Sequence, residues 1–483
     1  MSDDLILRGG TVFDGTGAPR FQADVAIKAG RISAIGDLAG RAAAKTVDVG
    51  GLAVAPGFID VHTHDDAALI ETPAMEMKAS QGVTTVICGN CGASAAPYDK
   101  TRGIGSVLGL LFKDTSLVCA TMGEFLGKVE AAQPAINGAF LVGHSTLRMS
   151  VMGDDLNRHA RADEIGQMKS MLKGALEDGA IGMSSGLFYP PAMPAKTEEL
   201  IELVEPLGPA KGVYTAHIRD EGEHITEALE EAFAIGRAAG GRTVISHHKC
   251  NGRVNFGRSP QTLAQIEAAM RSQPVGFDVY PYIAGSTILR PEMIERAEKV
   301  LITGSQVMPE ARGRDLAELA REMQMTPLEA AKRLVPGGAI YFMMDEGDVR
   351  RILSHEKAMV GSDGIPGDAH PHPRLWGTFP RVLGHYSRDL GLFPLEDAVR
   401  RMTGLSATNF GLKDRGFLKP GAFADICVFD PATIIDTATF EKPIQPARGV
   451  HLVMANGVAV WQDGKATGNR PGKVLKRQDQ LAA

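Results

Sequence analysis

The feature that most constrains this chain is a rhythm in which apolar runs of strand length alternate with segments of helix length. The runs are Phe58 to His64, Thr84 to Asn90, Phe140 to Ser145, Ile181 to Gly186, Val213 to Arg219, Thr243 to Lys249, Gly276 to Ile283 and Ala358 to Gly364. Helical patterns such as Ala162 through Leu176 and Ile225 through Ala239 fill the gaps. This alternation reads as βα units around a parallel sheet. Eight such strands predict an α/β fold, a (β/α)8 TIM barrel whose chemistry sits at the carboxyl ends of its strands. About 250 residues is typical for such a barrel, and the chain has 483, so additions are expected.

Both termini supply them. Leu5 to Val54 is a series of short apolar strands broken by Gly9-Gly10, Asp14-Gly15 and Ala29-Gly30. The same grammar returns at Ala424 to Asp430 and at Val450 to Trp461, where Asn456-Gly457 is a hairpin signal. Neither piece has enough apolar surface for its own core, so the two are expected to pair as a small β-sandwich. The expected division is residues 1–56 with 415–483 in the sandwich and 57–414 in the barrel. Within the barrel, 286–355 is too long for one crossover helix and reads as an inserted helical lid before strand eight.

A hydrophobic content of 44%, a charged content of 22% and a formal charge of −6 describe a globular chain with no basic surplus to attract nucleic acid or anionic lipid. The N-terminus is acidic where a signal peptide is basic, and no run approaches the ~20 apolar residues of a membrane span. A cytoplasmic location and a small-molecule partner are expected; the oligomeric state is not specified. Cys88, Cys91, Cys119, Cys250 and Cys427 are too scattered for a disulfide framework. Reduced thiols are therefore available as ligands.

Nearly every candidate strand ends in a residue able to bind metal or move a proton, which packing alone does not require. Gly57-Phe58-Ile59-Asp60-Val61-His62-Thr63-His64 sends two imidazoles from one strand end to the same side. The second strand runs into Cys88-Gly89-Asn90-Cys91-Gly92, where Cys88 reads as core and Cys91 lies in a glycine-rich bend open to a metal. The fifth ends at His217, the sixth in Ser246-His247-His248-Lys249 and the eighth in Gly361-Ser362-Asp363-Gly364. His62, His64, Cys91, His217, His247 and Asp363 thus converge on the catalytic face. Zinc held by imidazole and thiolate makes hydroxide available near neutral pH and polarises a carbonyl. A carboxylate beside it, for which Asp363 is the candidate, takes the proton as general base and returns it to a leaving amine. The implied reaction is metal-assisted hydrolysis of an amide.

These residues resemble the amidohydrolase superfamily, in which a His-x-His follows strand one, single histidines follow strands five and six, and an aspartate follows strand eight. Many two-metal members place a carboxylated lysine after strand four; here that segment is Gly182-Met183-Ser184-Ser185-Gly186. Cys91 is the available anion in its place. Gln81-Gly82-Val83-Thr84-Thr85, Gly89-Asn90-Cys91-Gly92, Ser185-Gly186-Leu187-Phe188-Tyr189-Pro190-Pro191, Ser246-His247-His248-Lys249 and Gly361-Ser362-Asp363-Gly364 resemble the N-acyl-D-amino-acid deacylases, or D-aminoacylases, over nearly the whole chain. The resemblance implies a tight zinc on Cys91, His217 and His247, a weaker second site on His62 and His64 with Cys91 shared, and Asp363 as acid/base.

Hydrolysis of an N-acyl-D-amino acid also requires a hold on its free carboxylate. Lys249, Tyr280, Ser286 and Arg374 follow strand ends and suit an anion clamp, and Tyr189 can hydrogen-bond the scissile carbonyl. His248 is expected to face away, His144 to play a supporting hydrogen-bonding role, and His370 and His372, interleaved with prolines, to belong to a stiff loop. A cyclic-amide hydrolase of the hydantoinase or dihydroorotase kind is an alternative, opposed by the missing lysine and the Gly-Asn-Cys-Gly bend. A non-catalytic scaffold is another, opposed by the intact convergent groups. The preferred D-side chain, apolar or acidic, is left open.

Overall fold

The computed structural model describes residues 2–102, 104 and 106–481. At its centre is an eight-stranded sheet in sequential order, formed by Phe58–Asp60, Val83–Cys88, Asn137–Gly143, Gly182–Gly186, Val213–His217, Thr243–Ile245, Val275–Val279 and Ala358–Val360. Adjacent strands are parallel. Every residue in them is buried, which is why they read as continuous apolar runs rather than as alternating ones. Ile59, Ile87, Leu141, Val213, Val244 and Met359 form one cluster with Phe410, Leu412 and Leu475. These fill the barrel and plug its floor. Their neighbours Phe58, Val86, Phe140, Tyr214, Ile245 and Val360 pack outward in the larger core shared with the helices.

The barrel closes through very little backbone. Strands one and eight are joined past their ends by a single parallel bridge, Thr63 to Gly364. Beside it the Asp363 amide donates to the His62 carbonyl at 2.8 Å. That bond lies at the seam itself, so the two strand ends that carry His62, His64 and Asp363 are held edge to edge.

Strands from both termini share one nine-stranded sheet. Asp3–Val12, Phe21–Lys28 and Arg31–Gly36 pair antiparallel. Asp3–Val12 also pairs parallel with Ala43–Asp48 and with Ala53–Pro56, so the sheet is mixed. Ile426–Phe429 joins it beside Ala53–Pro56, followed by the hairpin Val450–Ala455 and Val458–Gln462. Its turn is Asn456-Gly457, both at positive φ, as a two-residue hairpin requires. The sheet folds over its own core of Leu7, Val12, Val25, Ile27, Val54, Ile426 and Val428.

The segment between strands seven and eight carries the expected helices, Leu316–Glu322 and Pro327–Leu334. It adds a three-stranded antiparallel sheet of Ala284–Ile288, Gly337–Phe342 and Lys299–Ser305. Leu289, Ile302, Leu316, Leu319, Leu334 and Tyr341 give this insertion its own core. Among the described residues no helix is long and apolar enough to cross a membrane.

Phe58 ties the barrel to its surroundings: its ring stacks on Phe379 at 5.8 Å and meets Phe429 at 6.4 Å. Phe58→Ala is expected to cost about 3–5 kcal/mol through lost burial and the cavity left behind, read from the urea midpoint. A cost below about 1 kcal/mol would show that the wall collapses to fill the space.

Candidate metal centre and active site

The side chains at the barrel mouth are aimed by backbone that ordinary residues avoid. Cys91 (φ 54), His247 (φ 35) and Asp363 (φ 51) all adopt left-handed conformations, which cost L-residues energy and concentrate at functional sites. Each follows a strand end and turns its side chain toward the barrel axis. The Cys91 bend is fastened from strand four: the Gly92 amide donates to Ser184 Oγ at 2.9 Å, and that hydroxyl donates to the Gly89 carbonyl. A Cβ on Gly186 would lie 2.1 Å from the Cys91 carbonyl oxygen. At Gly186, the last residue of strand four, there is therefore no room for any side chain, so the chain can pass this close to the Cys91 bend only as glycine.

Cys91 is the hub. Its Sγ lies 3.2 Å from His62 Nε2, 3.4 Å from His217 Nδ1 and 3.4 Å from His247 Nε2. His217 Nδ1 and His247 Nε2 are 2.9 Å apart. Two donor sets result, Cys91 with His217 and His247, and Cys91 with His62, His64 and Asp363; within each set the ligand atoms lie within 4.8 Å of one another. A tetrahedral zinc, with Zn–S of about 2.3 Å and Zn–N of about 2.0 Å, spaces its donors roughly 3.3–3.5 Å apart. In the first set the two Cys91–imidazole distances fit that spacing, the two imidazoles stand 2.9 Å apart, and the atoms are the thiolate and imidazole that zinc favours.

Electrostatics point the same way. Burial pushes the Cys91 thiol up, but His62, His247 and His217 outweigh it and hold the thiol well below its ordinary range. Burial also lowers His217, which stays neutral and ready to ligate. His64 is different: burial opposes its charge, yet hydrogen bonding to Asp363 and Cys91 raises it to about 9. Against the same cost of burial, Cys91 and Asp278 raise His62 well above its usual value. Asp363 is held ionised against the cost of burial, chiefly by Arg374, whose Nη2 lies 2.9 Å from Asp363 Oδ2.

A narrow cavity opens onto these groups. Lys249, Tyr189, Tyr280, Ser286 and Arg374 all line it, beside His217, His247 and Asp363. Arg374 is fully buried, and its Nε and Nη1 have no hydrogen-bond partner among the described residues. Buried guanidinium donors are seldom left unmatched, so an anion is the natural occupant. Burial keeps the Tyr189 phenol neutral and able to donate; it sits 3.2 Å from Thr287 Oγ1.

Three groups that sequence reasoning missed complete the site. Glu221 Oε1 lies 3.0 Å from His247 Nδ1 and also binds the Lys249 ammonium. Asp278 accepts the His247 amide at 2.9 Å and faces His62 Nδ1 at 3.5 Å. Its signal was legible, a charged residue inside the apolar run Phe277-Asp278-Val279. The third is an apolar wall of Phe188, Met293, Tyr341, Met343 and Met344, most of it from the insertion.

The other histidines named from the sequence lie elsewhere. His248 turns outward to Thr262 Oγ1 at 2.9 Å, His144 pairs with Glu199, and His370 and His372 bond the carbonyls of Phe440 and Ala284.

Known proteins resemble this chain along almost its whole length. The model of the Amidohydrolase family matches residues 45–465. The chain is 53% identical to D-aminoacylase of Alcaligenes xylosoxydans xylosoxydans, covering 98% of each protein. Among solved structures it is similar to a D-aminoacylase studied for its binuclear metal centre, with one-metal activation and second-metal attenuation (TM-score 0.96, 55% identity, 98% of this chain and 100% of that one). It is also similar to N-acyl-D-glutamate deacylase from Bordetella bronchiseptica complexed with zinc and a phosphonate mimic of the tetrahedral intermediate (TM-score 0.95, 46% identity, 99% and 100% coverage). A dihydropyrimidinase from Brevibacillus agri shares the fold at 17% identity and a TM-score of 0.63, covering 98% of each chain.

Protons compete with metal for these donors. His62 and His64 are both raised, the latter to about 9, whereas in the other set only His247 is raised. Occupancy of the His62–His64 set is therefore expected to rise as pH climbs toward 9 and to fall first on acidification. Metal content after equilibration at several pH values checks this; two equivalents retained equally at low and high pH would contradict it.

Proposed function

The chain belongs to the amidohydrolase family, and on that footing we propose that it is a zinc-dependent N-acyl-D-amino-acid deacylase, which cleaves the linear amide to a carboxylate and a free D-amino acid. The observation that carries this reading is the thiolate of Cys91 set among His62, His217 and His247, beside a strand four that offers no lysine. Cys91, His217 and His247 would hold the tight zinc, and His62 and His64, with Cys91 and Asp363, would form a second site. When bound, zinc supplies Lewis acidity, drawing electron density from the amide carbonyl and making water a stronger acid at neutral pH.

The chain's own residues do the rest. Arg374 and Lys249 hold the substrate carboxylate, with the rings of Tyr280 and the Ser286 strand shaping the clamp. Arg374 lies over the Tyr280 ring at 4.6 Å and donates to the Ser286 carbonyl at 3.1 Å. Asp363, ionised at rest, accepts a proton from water as the C–O bond forms, and delivers it to the departing nitrogen as the C–N bond breaks. Tyr189 donates to the carbonyl oxygen as negative charge builds on it. Asp363 Oδ1 stands 3.2 Å from His64 Nε2, so filling the second site would engage the very carboxylate that moves the proton. This offers a physical reason for the attenuation by a second metal in the related D-aminoacylase.

The side-chain pocket favours an apolar residue. Its wall is Phe188, Met293, Met343 and Met344 with the Tyr341 ring. Arg290 is paired with Glu292 and lies over the Phe188 ring, outside the cavity lining.

Two measurements test the proposal. Acetate release from N-acetyl-D-methionine, -leucine and -phenylalanine should exceed that from N-acetyl-D-glutamate by at least about a hundredfold in kcat/KM, because an unpaired buried carboxylate costs several kcal/mol. The L-isomers should be inert; equal turnover of either series would refute the corresponding part of the reading. Asp363→Asn should lower kcat about 10²–10⁴-fold, the usual worth of a general base, while retaining the first zinc. Near-normal turnover would remove Asp363 from its role.

A further inference from the structure

Lys78 is a fully buried lysine with no part in the deacylation steps. It projects from the short helix Glu76–Ala79, on the outer side of the barrel, to the seam between strands one and eight. Its Nζ donates to Asp60 Oδ2 at 2.7 Å and to Ser362 Oγ at 2.8 Å, and lies 3.3 Å from Asp65 Oδ2. All four side chains are fully buried. Asp60 ends strand one, two residues before His62; Ser362 immediately precedes Asp363. The contacts continue on both sides: Asp60 Oδ1 accepts the Ser362 amide at 2.8 Å, and Ser362 Oγ accepts the Gly364 amide at 3.2 Å.

This seam is where the barrel has least backbone to hold it, a single bridge between Thr63 and Gly364. Elsewhere register is set by ladders of paired amides; here, beside that bridge and the Asp363–His62 backbone bond, the Lys78 ammonium ties Asp60 to Ser362 with Asp65 as a neighbouring counter-charge. The seam also separates Asp363 from His62 and His64, which stand 3.5 Å and 3.2 Å from its Oδ1. Asp363 has strained backbone at φ 51, which persists only when its surroundings over-determine it. The Lys78 network supplies that restraint. Asp60 and Asp65 are two acids facing one ammonium, so a neutral side chain in its place would leave both without a cation and push the seam apart.

We propose that Lys78 is a positioning residue that, by locking Asp60 to Ser362, sets the placement of Asp363 relative to His62 and His64 and so governs both turnover and uptake of the second metal. The inference rests on the deacylase reading, in which Asp363 is both proton carrier and second-site donor. The tight set is on other strands and is expected to be indifferent.

The test compares Lys78→Met and Ser362→Ala with the wild type and with Phe58→Ala, which weakens the same strand by a cavity instead of through the seam. Zinc affinities are measured by chelator competition, with kcat and KM on N-acetyl-D-methionine and thermal midpoints alongside. Both seam variants should weaken the second zinc and lower kcat by about 10–100-fold, the range found when groups behind a ligand are removed. The first zinc and KM should stay within about threefold, small beside that range, and Phe58→Ala should lower the midpoint without that pattern. Because Lys78→Met strands buried carboxylates and can fail to fold, Ser362→Ala, which leaves the Lys78–Asp60 pair intact, decides the matter alone if necessary. A lowered midpoint with unchanged second-zinc affinity and kcat would overturn the proposal. Absence of turnover or of a first zinc site in the wild type would instead overturn the deacylase reading beneath it.

Discussion

Everything at the barrel mouth depends on one thiolate surrounded by imidazoles. A buried sulfur anion is costly by itself, and three histidines within 3.4 Å of Cys91 compensate it. That mutual stabilisation is available only because the chain leaves strand two through a left-handed bend and because strand four ends in a glycine against it. Strand four offers no lysine, and the anionic donor shared by the two sets at the barrel mouth is sulfur. Zinc binding would replace the protons shared in this cluster by a harder constraint of the same sign.

Around that hub, each cation of the substrate cavity already has a resident anion. Arg374 faces Asp363 and Lys249 faces Glu221. The arrangement keeps the site near neutrality when empty and leaves donors of Arg374 free for an incoming carboxylate. It also links functions that look separate in the chain: Glu221 reaches both a ligand histidine and a clamp lysine, and Asp363 reaches both the clamp arginine and His64. The insertion supplies the other half of selectivity, since Ser286, Thr287, Met293, Tyr341 and Met343 come from it and line the same cavity. The barrel holds the reacting groups, and the insertion decides what side chain can lie beside them.

Much of this was legible in the sequence. All eight barrel strands appear where apolar runs predict them, and Ile225–Ala239 forms over the span its pattern marks. The six chemistry-bearing residues gather as the strand-end rule requires. Other features were hidden. The period-two argument that paired His62 with His64 assumes a strand, but the strand stops at Asp60. His247 and His248 diverge because His247 is at φ 35, not because strand faces alternate. The insertion's sheet was masked by short, weakly patterned strands such as Ala284–Ile288. Lys78 reads as an ordinary surface lysine of a short helix, and nothing local marks it as buried.

The barrel, the shared terminal sheet and the kinds of atoms at the strand ends follow from the order of residues alone, because hydrophobic period and turn chemistry are properties of a few consecutive positions. Where those atoms point, and which charge answers which, is settled only once the chain has folded. Left-handed turns, the crowding of Gly186 on Cys91, and pairs such as Lys78 with Ser362 or Arg374 with Asp363 are imposed by chain that arrives from elsewhere. Their energies belong to contacts between distant segments, so no short window of residues contains them.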